Sequence, residues 1–153
     1  FSPNQYLRIK FEVDTVPPTS FKTETAFLLQ PIPFSVRVFA PPSLHAGKMH
    51  AVLCRNWKDR VKGRDWYDMV WYVSRNIPVD LTHLKARMLQ SKHIVPDVAF
   101  TETLLKQLLK DKIDNLDIEQ ARKDVERFLL NPETVKVWSK PFFHAVVERL
   151  LTV

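Results

Sequence analysis

The chain has 153 residues, 45% of them hydrophobic and 26% charged, with a formal net charge of +6. That composition excludes disordered and low-complexity classes, and the length suits one domain with a buried core. The basic balance (pI about 9.6) favours anionic partners such as nucleotides, RNA or a membrane surface. The single cysteine, Cys54, rules out an internal disulfide, and its place in an apolar helical run reads as core packing in a reducing, cytoplasmic compartment. No apolar run approaches the ~20 residues of a membrane span, so a membrane partner is not expected.

The first forty residues read as β. Tyr6 to Asp14 alternates, with Leu7, Ile9, Phe11 and Val13 on one face and Arg8, Lys10, Glu12 and Asp14 on the other. Pro17-Pro18 ends that strand. Phe21 to Leu29 is a weaker strand candidate, and Phe34 to Phe39 a third, with Phe34, Val36 and Val38 on one face.

After Pro41-Pro42 the pattern turns helical. Ser43 is the expected N-cap of a first helix from about Leu44 to Arg55. A second runs from about Arg64 to Arg75, with Trp66, Val70 and Val73 at the spacing of a buried stripe. Asp80 caps a third through Leu89, and Thr101 a fourth through Lys112. Asp117 with Gln120 has the spacing of a capping box and opens a fifth, which ends before Asn131-Pro132. Ser139 with Pro141 opens a sixth, running to the C-terminus. The expectation is an α+β fold over residues 1–153, with strands in 1–40 and a bundle of about six helices in 41–153. Gly47 and Gly63 are the only glycines, which excludes a glycine-rich phosphate loop.

Four groupings carry chemistry. Glu12 and Asp14, two apart, share a face if the strand forms and could hold a divalent cation through hard oxygens, although a solvated strand edge is the commoner outcome. Lys48 and Arg55 are seven apart and lie within roughly 20° of each other around a helix. Lys48, beside Leu44 and Ala51, either snorkels to the surface or is held for an anion. From Arg55 to Asp65 the basic residues Arg55, Lys58, Arg60, Lys62 and Arg64 stand between Trp57 and Trp66. Such a run either grips a nucleic-acid backbone or is a solvated loop with its tryptophans in the core. Asp65 and Asp68, three apart at a helix start, are either dipole-stabilised acids or functional carboxylates. His45 and His50 stand about 140° apart on a helix and do not form a zinc pair. His83, His93 and His144 have no partners at ligand spacing, and no Cys-His arrangement stands out.

The run from Ser43 to Tyr72, SLHAGKMHAVLCRNWKDRVKGRDWYDMVWY, resembles the AbiEii/AbiGii-type nucleotidyltransferases, toxins of abortive-infection toxin–antitoxin systems. In that family a lysine on one helix is followed by a basic stretch and an Arg/Lys-Asp-x-x-Asp step. Lys48, Arg64, Asp65 and Asp68 match those places, and KFEVD resembles the central strand, with Glu12 the better match to its acid and Asp14 the second. The resemblance covers roughly Leu7 to Arg75. The family's first motif, a Gly-Ser turn before an Asp-x-Asp strand, is not in this sequence. With Phe1 in place of a methionine, this gives the expectation of a C-terminal part of a longer enzyme, inactive alone.

The resemblance implies transfer of a nucleoside monophosphate from an NTP, with Mg²⁺, to RNA such as a tRNA end, or to a protein, and an antitoxin partner. It implies Lys48 and Asp65 as catalytic, with Arg60, Lys62, Arg64 and Asp68 binding nucleotide or RNA. Glu12 and Asp14 would be metal ligands. The alternative is a non-catalytic α+β module that binds RNA or protein through the basic connector.

Overall fold

A computed structural model describes residues 9–55 and 61–153. Two strands, β1 (Thr23–Leu28) and β2 (Phe34–Phe39), precede six helices: α1 (Pro41–Cys54), α2 (Gly63–Ser74), α3 (Leu81–Gln90), α4 (Glu102–Asp114), α5 (Ile118–Glu126) and α6 (Lys140–Glu148). A 3-10 turn over Pro132–Val135 lies between α5 and α6. The fold is α+β, as the sequence suggests. β1 and β2 pair antiparallel, from Thr23 opposite Phe39 to Leu28 opposite Phe34.

Residues 9–14 join no strand, and Ile9, Phe11 and Val13 are exposed. Alternation prepares a strand, but a strand exists only when a neighbour takes its hydrogen bonds. Among the described residues none pairs with this segment. The expectation for Tyr6–Asp14 is therefore corrected over 9–14, and Tyr6–Arg8 lie outside the described residues.

The helix caps follow the sequence closely. Asp80 accepts from the His83 amide, Thr101 from Leu104, Asp117 from Gln120 and Ser139 from Phe142. Two local assignments change because a distant partner competes. α1 starts at Pro41 with Ala40 as N-cap, and Ser43 caps nothing. Its hydroxyl instead donates to Asp80 Oδ2 (3.2 Å) and accepts from the Lys22 amide (2.9 Å). Gln120 does not close a capping box; its side-chain oxygen accepts from the Val61 amide. The last helix stops at Glu148, and the tail returns as a parallel bridge between Thr152 and Val79.

Helices α1, α2 and α3 pack together through α1, α2 lies on α5, and α4 on α6. The core gathers Met49 and Val52 of α1, Trp66 and Met69 of α2, and Phe143 of α6. Trp66 meets Phe143 edge-on at 5.2 Å, so this tryptophan belongs to the core and does not stand free to stack on a base. Trp57 lies outside the described residues.

At the start of α2 the packing demands glycine. A Cβ on Gly63 would stand 1.9 Å from the Ala121 carbonyl oxygen of α5. The α2 backbone thus rests directly on α5, and Val61 is bonded to Gln120 just before it. That fixes where the acidic residues of α2 emerge.

Candidate functional site

Two charged rows face each other across α1 and α2. Lys48 stands on α1 and Arg55 just past its C-terminal end; on α2, Asp65 and Asp68 lie one turn apart. Lys48 Nζ meets Asp68 Oδ2 at 2.6 Å, with the two side chains 44% and 35% exposed. Arg55 approaches Asp65 Oδ2 at 3.9 Å. The rows do not match in length: seven residues of helix rise roughly 10 Å, three only about 4.5 Å. One pair closes tightly and the other stays loose, even with the longer arginine side chain.

Asp65 is nearly buried, at 6% exposure. A buried carboxylate needs partners, and Arg55 is the cation within ion-pair range among the described residues. Asp68 is the residue that holds Lys48.

Two clefts meet at Lys48 and Asp65. One, of about 240 Å³, is lined by Phe39, Gly47, Lys48, Arg55, Asp65 and Arg87, among others. The second, of about 290 Å³, is lined by Lys48, Lys62, Arg64, Asp65, Asp68 and Phe128, among others. Gly47 leaves open space above its backbone: nothing lies within 4 Å of where its Cβ would be. Arg64 stacks its guanidinium over the Phe128 ring at 4.2 Å. Its Nε is buried with no hydrogen-bond partner among the described residues. Arg60 lies outside the described residues.

His45 and Tyr72 support this surface from behind. Their rings stack at 4.6 Å, nearly parallel, and Tyr72 lies in the fields of Lys48 and Asp68. Burial lowers His45 to about 4, so it is neutral at pH 7 and donates from Nδ1 to the Ile77 carbonyl (2.8 Å). Neither residue carries a sequence signal beyond helical spacing.

Glu12 and Asp14 each engage a near neighbour in sequence. Glu12 is ion-paired with Lys10, whose hydrogen bond and charge hold its carboxyl below the usual range, with smaller help from Arg55 and Lys62. Asp14 Oδ1 accepts from the Val16 amide (3.1 Å). The shared-face argument for the two rested on a strand that residues 9–14 do not form. Among the described residues the one cluster of three metal-type ligands is His50, Cys54 and His93. That nitrogen–sulfur set suits a softer ion than Mg²⁺. Among the described residues no group of three carboxylates stands together.

No described helix is long and apolar enough to cross a membrane. No curated protein and no solved structure matches the chain. A family model does, described as the nucleotidyl transferase AbiEii toxin of type IV toxin–antitoxin systems, and its match runs over residues 1–148. With nearly the whole chain inside that match, the protein belongs to the AbiEii nucleotidyl transferase toxin family.

Proposed function

We propose that this chain supplies the lysine-and-aspartate half of a nucleotidyl transfer site, moving a nucleoside monophosphate from an NTP to an RNA end, or alternatively to a protein hydroxyl. The observation that carries this reading is the Lys48–Asp68 pair at the junction of two cation-lined clefts. A lysine ammonium has three protons. Asp68 takes one and fixes the direction of the others, which leaves two for phosphate oxygens. Lys48 then neutralises charge on the triphosphate, while Lys62, Arg64 and Arg60 steer the polyanion toward it. Asp65 holds the acceptor or, with Arg55, the geometry of the junction.

Transfer of this type draws on Mg²⁺ to screen the phosphates and activate the acceptor oxygen. Glu12, with Asp14, is the contribution this chain could make to it, and no step here is routed through the metal. As a member of a toxin–antitoxin family, the protein is also expected to have an antitoxin partner, and to act in the cytoplasm.

The test is Lys48→Ala in the full-length toxin. Transfer to RNA, followed with labelled NTP, should be abolished while the circular dichroism spectrum stays native. Full activity in that variant overturns the assignment. The local engagement of Glu12 by Lys10 and of Asp14 by the Val16 amide favours a second reading, an RNA- or protein-binding module without catalysis, with RNA the case tested here. Such a module would show salt-sensitive RNA affinity and no NTP binding.

A further inference from the structure

His50 and Cys54 are four residues apart on α1 and so share a face. It is not the face that carries Lys48. His93 reaches the same place from beyond α3. There the chain reverses through a Schellman turn: the Lys92 amide donates to the Leu89 carbonyl and the His93 amide to Met88. The turn puts Lys92, a non-glycine residue, at φ 59°, a left-handed conformation that costs about 1–2 kcal/mol. The side-chain ligand atoms of His50, Cys54 and His93 all lie within 4.8 Å of one another. His50 Nε2 and His93 Nδ1 both hydrogen-bond the Ser91 hydroxyl, at 2.9 and 2.8 Å.

We propose that His50, Cys54 and His93 form a Zn²⁺ site that clamps the C-terminal half of α1 to the turn after α3. Thiolate and imidazole are both donors that zinc takes, and a tetrahedral ion with bonds of about 2.0–2.3 Å sets its ligand atoms roughly 3.3–3.7 Å apart. From separations of at most 4.8 Å, the ligand atoms have to close in by about 1–1.5 Å at most to meet that tetrahedral spacing. The Ser91 hydroxyl now stands among the ligands. On binding it turns aside and gives up its bonds to the two imidazoles. The fourth position falls to water or to Asp111, which lines the same cleft as Cys54 and His93. Binding breaks the Cys54 S–H bond, forms a metal–sulfur bond and releases the proton to solvent. Lys112 borders the same cleft and Arg87 acts electrostatically on His50, so the site draws its attraction from bond formation rather than from the surrounding charge. This α1–α3 clamp is separate from the Lys48–Asp68 surface, and its failure would leave the nucleotidyl transfer reading untouched.

The experiment is titration of the metal-free protein with Co²⁺, a spectroscopic stand-in for Zn²⁺. One equivalent should produce visible d–d bands of a tetrahedral ion and a near-ultraviolet thiolate-to-cobalt band, and Zn²⁺ should displace both. Cys54→Ser should remove the near-ultraviolet band. His93→Ala changes an exposed residue and keeps the fold. It should weaken binding by at least about tenfold, a loss that even removal of a supporting partner can produce. His144→Ala, remote from the cluster, should bind as the wild type does. Absence of the cobalt spectrum, or a spectrum indifferent to both Cys54→Ser and His93→Ala, overturns the proposal.

Discussion

The Ala121 carbonyl oxygen stands where a side chain on residue 63 would begin, 1.9 Å from the position of a Gly63 Cβ. Backbone packs on backbone there, and neither helix end can give way cheaply. Gly63→Ala should lower stability by about 3 kcal/mol, the upper range for overpacking. Denaturant unfolding measures it. An unchanged midpoint would mean that α2 and α5 are less closely apposed.

Lys48 and Asp68 should separate function from stability. Both are half-exposed, so the pair contributes only about 0–1 kcal/mol to folding. Asp68→Asn should lower the melting temperature by no more than about 2–4 °C, the shift that 1 kcal/mol produces in a chain of this size. It should nevertheless lower transfer by about tenfold, or 1.4 kcal/mol of transition-state stabilisation. Read as NTP affinity with Lys48→Ala already present, it should cost almost nothing more. Additive losses in the double variant would show that Asp68 acts independently of Lys48.

Stability should fall as acid is added, through His45. Its folded value is about 4, whereas the unfolded chain takes the proton near the ordinary histidine value of about 6.5. Between those values the unfolded state holds more protons. The stabilisation is therefore complete above about pH 6.5 and is lost as pH falls toward 4, on the order of 2–3 kcal/mol. His45→Gln keeps an amide donor for the Ile77 carbonyl and should flatten that slope. His50 and His83 are also lowered, chiefly by burial, and leave a residual slope. An unaltered profile in the variant would assign the acid sensitivity elsewhere.

Ser43→Ala should destabilise more than an ordinary helix cap. The hydroxyl links the Lys22 amide to Asp80, and Asp80 is 1% exposed. Removing it takes a donor from a buried carboxylate, at about 1–3 kcal/mol. Thr101→Ala, at the exposed cap of α4, should cost about 1 kcal/mol. Equal losses from the two variants would argue against the buried link.

What was legible in the sequence was local. Asp80, Thr101, Asp117 and Ser139 cap the amides they face because each bond spans three residues. Val36 and Val38 are half-buried in β2, and Trp66 and Val73 are buried, as their spacing suggests. What was not legible depends on distant partners. Ser43 and Gln120 have the chemistry of caps, but Asp80 and Val61 lie closer in space. Residues 9–14 alternate, but nothing described takes their hydrogen bonds. The lysine and the two aspartates of the site were readable as a motif, whereas the pairing of Lys48 with Asp68 and Arg55 with Asp65 follows from how α1 lies on α2. His50 and Cys54 pass unnoticed in a search for paired histidines, since their third member lies 39 residues beyond Cys54.

Glycine at position 47 weakens a helix by about 1 kcal/mol relative to alanine, and no neighbour requires it. Gly47→Ala should accordingly raise the melting temperature. Larger residues there turn the position into a plug: Gly47 lines the first cleft and its Cβ position is open, so the side chain of Gly47→Trp should enter that cleft. A stable protein with that cleft stoppered lets occupancy be tested apart from charge, because every ionic group of the site stays in place. Lost nucleotide binding in such a variant would locate the ligand beside α1, and retained binding would send it to the neighbouring cleft under Arg64 and Phe128.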